Sequence, residues 1–125
     1  MIFGIGIDLI EVERVAEKIG KNNGFKELVF SKNEIDYCEA LKNKYEHFAA
    51  RFAAKEAFLK ALGTGWQGDT AFNEIEIFKN KDGKPGIIFL GKTAITMAEI
   101  MEKKIFVSIS HIQSMATAVV IIENK

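Results

Sequence analysis

Three ionisable residues in this chain have types and spacing suited to phosphate chemistry: Asp8 in "GIGIDLIEVER", and Glu56 and Lys60 in "RFAAKEAFLKALGTG". At 100° per residue, Glu56 and Lys60 stand about 40° apart on one helix face. The plainest reading is a surface pair one turn apart, contributing roughly 0.2–0.5 kcal/mol. Their neighbours on that face are Ala49, Phe52, Ala53 and Gly63, however, and these do not make a solvated stripe. A buried ion pair is seldom a net gain in stability, because desolvation offsets the attraction. The pattern therefore favours a functional pair lining a cleft. Asp8 shares a strand face with Gly4 and Gly6, and glycine in a strand marks close approach of a ligand or of backbone. Taken alone, Asp8 reads as the cap of a helix starting near Leu9. Taken with Glu56, it supplies the second of two carboxylates from different elements. Such a pair suits a hard cation such as Mg²⁺, whose shell is completed by water and phosphate oxygens, with Lys60 neutralising the phosphate.

Other segments carry weaker signals. "GTGW" after the helix lacks the lysine ending of a P-loop. It is either a plain C-terminal cap and turn, or a run of backbone N–H groups beside Lys60 that meets a phosphate. "SISH" sets Ser108 and Ser110 on one strand face with His111 at the exit; a histidine there could bond a phosphate near neutral pH. His47 opens the central helix and reads as a surface residue. Cys38 reads as a small buried hydrophobe, and Trp66 as a packing residue. Arg14, Lys18 and Lys21 form either a solvated face or a docking face for an acidic partner.

The elements that must hold these residues follow from periodicity. "IFGIGIDLI" alternates as a strand. "EVERVAEKIG" fits a short helix with Val12, Val15, Ala16 and Ile19 inward. "SKNE" is a capping box, with Ser31 and Glu34 in reciprocal positions, and opens a helix through about Leu41. The central helix is expected from near Tyr45 to Gly63, with apolar residues on every side, which implies burial on several sides. "FNEIEIFKN" and "GIIFL" form a hairpin across "KDGKP". "KTAITMAEIMEKK" reads as a helix, and "IFVSIS" and "ATAVVIIE" as strands flanking "HIQSM". The order β-α-α-α-β-β-α-β-β implies a small α+β domain over 1–125, mainly antiparallel, packed on the long central helix.

Composition bounds the partners. The chain has 125 residues, with 17 basic and 17 acidic side chains. No global field draws it to nucleic acid or to a membrane, so a charged partner must be read by a local patch. One cysteine permits no intrachain disulfide. "MIFGIGIDLIEVER" lacks a basic leader, and no run approaches a membrane span, so the expected location is the cytoplasm.

Together, "GIGIDLIEVERV", "FAARFAAKEAFLKALGTG" and "SISH" with "ATAVVI" resemble the holo-acyl-carrier-protein synthases, the short bacterial class of phosphopantetheinyl transferases. The resemblance runs from the first residues to the last strand. It implies the 4′-phosphopantetheinyl transferase fold and transfer of 4′-phosphopantetheine from coenzyme A to a serine of apo-acyl carrier protein. It further implies a Mg²⁺ requirement, a role in fatty acid biosynthesis, and a trimer with active sites between subunits. By that resemblance the metal ligands fall on Asp8 and Glu56 and the catalytic lysine on Lys60. Coenzyme A contacts fall on Lys60, Gly63, Thr64, Gly65, Ser110, His111, Lys44 and Arg51, with His47 a further candidate. Carrier docking falls on Arg14, with Lys18 and Lys21 nearby. Ile112 stands where many relatives have an acidic residue, so no metal ligand is assigned there. Two alternatives stay open: the same chemistry on another carrier protein, and a non-catalytic coenzyme A-binding or oligomeric scaffold.

Overall fold

Alternation in the first strand divides it into a face of small and polar residues and a face of large apolar ones. The structure, a computed structural model, describes residues 1–65 and 69–125; Trp66 lies outside the described residues. Strand β1 (Ile2–Glu11) runs straight into helix α1 (Val12–Gly20), which buries Val12 and Val15. Two short helices follow, α2 (Phe25–Val29) and α3 (Lys32–Glu39). Then come the long helix α4 (Lys44–Leu62), a 3₁₀ turn at Phe72–Glu74 and the hairpin β2 (Ile75–Lys79) and β3 (Pro85–Phe89). Helices α5 (Gly91–Thr96) and α6 (Ala98–Met101) lead to the closing strands β4 (Lys104–His111) and β5 (Met115–Glu123). Among the described residues no helix is long and apolar enough to cross a membrane.

Both sheets are antiparallel, as expected: β1-β5-β4 and β2-β3. Two details differ from the sequence reading. Residues 25–29 form a helix that five residues of periodicity could not announce; Gly24, in the left-handed region at φ 93°, opens it. The helix expected at 92–104 breaks at Met97, whose ψ of 14° leaves the helical region. The capping box at Ser31 forms as expected.

Helix α4 lies across the three-stranded sheet, and most of its 19 residues are buried. The chain itself covers it: β1 and β5 on one side, α1 and α3 on others. The chain's own elements therefore account for most of its apolar girth. Two clusters fill the core. Ala57, Phe58, Ile75, Val120 and Ile122 pack at one end. Val15, Phe30, Phe48 and Ala116 pack at the other.

The glycines of β1 face α4. A Cβ on Gly6 would land on the carbonyl oxygen of Ala57, and one on Gly4 on that of Ala61. Of the two meanings of a strand glycine, the structure selects close approach of backbone. Two strand residues advance about 6.7 Å and four helical residues about 6 Å, so the glycine spacing keeps step with the helix turns.

Among the described residues nothing covers the opposite sheet face. Ile5, Ile7 and Leu9 are each 64% exposed, beside Phe3 and Phe106. Register sets Ile5 opposite Ile121, and Ile121 opposite Phe106, in one apolar row.

One buried polar network was absent from the sequence reading. Lys55 is fully buried, and its Nζ donates to Glu34 Oε1 at 2.7 Å, Val29 O at 2.6 Å and Phe72 O at 2.8 Å. Glu34 also accepts from the backbone of Ser31 and Ile77. Ser31 Oγ donates to Glu76 at 2.6 Å. This network ties α3, α4 and β2 together.

Candidate active site

Asp8 does not cap a helix. It lies within β1, opposite Ala118, and the residue preceding α1 is Glu11. From that position its side chain points toward α4, two residues beyond Gly6. Lys60 reaches back from α4: its Nζ donates to Asp8 Oδ1 at 3.1 Å and to Ile7 O at 2.9 Å. The surface pair one turn apart does not form, since among the described residues Lys60 pairs with Asp8 and not with Glu56.

Glu56 and Asp8 line one cavity of about 330 Å³ with Glu11, Arg14, Lys18 and Phe52. Burial, and then the Asp8 charge, push the Glu56 carboxyl above its ordinary range, with Lys60 and Lys18 opposing. A carboxylate whose ionisation is disfavoured by burial and by a second carboxylate beside it marks a place where a cation is welcome. Among the described residues no group of three or more His, Cys, Asp or Glu could hold a metal. A cation here would thus keep most of its shell for water and ligand oxygens, the habit of Mg²⁺.

The remaining site candidates divide. Arg14 projects into solvent at the rim of this cavity, with Nε 3.2 Å from Glu11. Lys18 lines the same cavity and lies over the Phe25 ring. Lys21 is exposed at the end of α1. Gly63 caps α4 at φ 82°, and its N–H is taken by Leu59 O and Lys60 O. That engaged N–H corrects the idea of an open amide at this position. Thr64 and Gly65 follow, exposed, beyond Lys60.

A second pocket holds the other basic groups. His47, Arg51, Lys79 and His111 line it with Ala50, Pro85 and Ile109. Arg51 is buried, its guanidinium 4.4 Å over the Tyr37 ring, and its Nε has no hydrogen-bond partner among the described residues. An unmet donor on a buried cation leaves it able to take a further acceptor. His111 is fixed by a 2.8 Å contact from Nδ1 to Glu46 Oε1; a carboxylate only accepts, so Nδ1 carries the proton. His47, expected on the surface, is half-buried against His111, with ring centroids 4.9 Å apart. Lys44 lies elsewhere, paired with Glu39 at 3.0 Å in a separate cavity. Ser110 alternates away from His111 onto the outer sheet face, where it is exposed. Within one chain, then, the Asp8–Glu56 pair, with Lys60 bonded to Asp8, and the Arg51–His111 group line different pockets.

Fold and site together define a class. The profile of the 4′-phosphopantetheinyl transferase superfamily matches residues 4–120. The holo-[acyl-carrier-protein] synthase of Geotalea daltonii is 42% identical, over 98% of this chain and 99% of its own length. That of Cytophaga hutchinsonii is 46% identical over 97% of each. Among solved structures, the holo-(acyl-carrier-protein) synthase of Bacillus anthracis in complex with CoA (3′,5′-ADP) superposes with TM-score 0.83 at 37% identity. It covers 100% of this chain and 99% of its own. The Neisseria meningitidis synthase gives TM-score 0.89 at 30% identity, covering 99% and 100%. The chain belongs to the holo-[acyl-carrier-protein] synthases.

Proposed function

We propose that this chain transfers 4′-phosphopantetheine from coenzyme A to a serine of apo-acyl carrier protein and releases adenosine 3′,5′-bisphosphate, in the service of fatty acid biosynthesis. The observation that carries the reading is that Asp8 and Glu56 line one cleft, with Lys60 bonded to Asp8, in a chain from this family. Asp8 and Glu56 would hold Mg²⁺, which fits a site of two carboxylates and an otherwise open shell. When bound, Mg²⁺ supplies Lewis-acid stabilisation of charge on the phosphoryl oxygens. Lys60 has three N–H donors, and two are engaged by Ile7 O and Asp8. The third is left for a phosphate oxygen, where it stabilises charge on the departing nucleotide. Arg51, Lys79, His47 and His111 would take the nucleotide's phosphate end, with Lys44, Thr64, Gly65 and Ser110 as outlying contacts.

The assembly we infer is a trimer with each active site shared between subunits. Two features support it: the separation of the two pockets, and the uncovered apolar face carrying Ile5, Ile7, Leu9 and Phe106. Arg14 and Lys18 rim the cleft and would dock the acidic carrier, with Lys21 at the margin. The reaction is assigned to the cytoplasm, and 1–125 act as one transferase domain. The test is the intact mass of an apo-acyl carrier protein incubated with coenzyme A, Mg²⁺ and this protein. One phosphopantetheine adduct is expected, and none with Asp8→Ala. Coenzyme A binding without any adduct in the wild type refutes the transferase reading in favour of a binding scaffold.

A further inference from the structure

The basic pocket holds two fixed cations, Arg51 and Lys79, and two imidazoles of different standing. His111 is anchored by Glu46 through Nδ1. His47 is set between the edges of two rings, Tyr37 at 6.1 Å and His111 at 4.9 Å, and no carboxylate is bonded to it among the described residues. The charged and titratable groups that face it are Tyr37 from α3, Glu46 and Arg51 from α4, Lys79 from β2 and His111 from β4. Only Glu46 is acidic, and its carboxylate is already engaged by His111. An imidazole among cations, partly shielded from water, has little reason to hold a proton. A doubly charged phosphate entering the same pocket reverses that balance, because it is the one strong anion in contact with all four basic groups.

We propose that His47 is the proton-coupled binding residue of this pocket: neutral while the pocket is empty, and an imidazolium donating to phosphate when a phosphate monoester dianion occupies it. The inference rests on the reading of this pocket as the nucleotide's phosphate site. Burial, followed by the charges of His111, Arg51 and Lys79, lowers the proton affinity of the free His47, in keeping with its neutral resting state. Ligand binding then draws one proton from solvent onto the imidazole, and ligand release returns it. Affinity consequently falls as pH rises, by up to about tenfold per pH unit for one coupled proton.

The chain contains two histidines, and both line this pocket. Imidazole Cε1–H resonances in a proton–carbon spectrum therefore report on this place alone, and His47→Phe removes and so assigns one of them. The probe is adenosine 3′,5′-bisphosphate at saturation. In the free protein the His47 midpoint should fall below the ordinary 6.5. With the probe it should rise above that value. Calorimetry at pH 7–8, in buffers of different ionisation enthalpy, should show more proton uptake by wild type than by His47→Phe. In that range a phosphate monoester, with its second pKa near about 6, is mostly dianionic in both. A His47 midpoint that is unchanged or lowered by the probe overturns the proposal while leaving the pocket assignment standing. If the probe moves neither resonance at any concentration, the pocket is not the phosphate site and both readings fall together. If His47→Phe does not fold, the wild-type titration still decides, because His111 is identified by its proximity to Ala116, its partner in the strand register.

Discussion

Replacing Lys55 with Met keeps most of the stem against Phe30 but deletes the ammonium that joins three acceptors. Glu34 is then a buried carboxylate held only by the backbone amides of Ser31 and Ile77. Removing one partner of a buried pair costs about 3–5 kcal/mol, chiefly because the other charge remains without compensation. The Val29 and Phe72 carbonyls lose a donor as well, at about 1–3 kcal/mol for each that stays dry. These costs overlap, so about 3–5 kcal/mol is the expected total, against about 5–15 kcal/mol for a whole domain. At about 4 °C per kcal/mol for a chain of this size, the midpoint should drop by about 12–20 °C. Urea unfolding at fixed chain concentration is the assay, since assembly shifts apparent stability by mass action. Glu34→Gln alone should also destabilise, because an amide cannot accept from both backbone N–H groups and Lys55 at once. The double variant should show a coupling energy of about 1–3 kcal/mol. A Lys55→Met loss under about 1 kcal/mol, or additive single effects, would refute the claim that this network locks α3 and β2 onto α4.

Burial and Asp8 raise the proton affinity of Glu56, so the folded state binds its proton more tightly than the unfolded chain, and ionisation costs stability as pH climbs past the ordinary 4.5. In EDTA, Glu56→Gln should therefore melt above wild type at pH 7, with the advantage vanishing below pH 4.5; a lower melting point at pH 7 contradicts the electrostatics. Arg14→Glu should weaken carrier affinity strongly and leave coenzyme A binding nearly unchanged, and rising salt should weaken the wild-type pair, as screening acts over about 10 Å at 0.1 M. Equal carrier binding at low salt returns Arg14 to solvent. Ile5→Glu puts a charge in the uncovered apolar row and should yield monomers on sedimentation with most activity lost. A fully active monomer would show that one chain holds a complete site.

Period-2 and period-3.6 patterns made most of the fold legible, because β1, α4, β4 and β5 each bury one consistent face or are buried all round. The pattern failed where local geometry rules. Five residues at 25–29 are too few to show a period, and the break at Met97 has no proline or glycine to announce it. Asp8, Glu56 and Lys60 were legible as chemistry, yet the contact of Lys60 with Asp8 rather than with Glu56 depends on how closely strand and helix approach. Lys55 stayed hidden because its partners lie 17 and more residues away in sequence. A lysine amid Ala and Phe was the available signal. His47 was read as exposed from its place near a helix start; its burial comes from β4, far along the chain.

The two glycines of β1 act as a spacer of zero thickness, and they set the bite of the site. With no side chain between β1 and α4 at Gly4 and Gly6, the backbones touch, and the next inward residue, Asp8, is carried to the side of Glu56. The aperture between the carboxylates is thus machined by core packing, not by the carboxylates themselves. A single methyl at Gly6 must push the Ala57 carbonyl away and open that aperture. Mg²⁺ binds at about 2.0–2.1 Å and tolerates little distortion, whereas Ca²⁺ accepts about 2.3–2.6 Å in looser geometry. If the two carboxylates hold Mg²⁺ as proposed, ion preference would be encoded partly at a residue that never touches the ion. Gly6→Ala, if it folds, should lose affinity for Mg²⁺ more than for Ca²⁺ in parallel calorimetric titrations, and an unchanged ratio would mean that the carboxylates adjust their own reach.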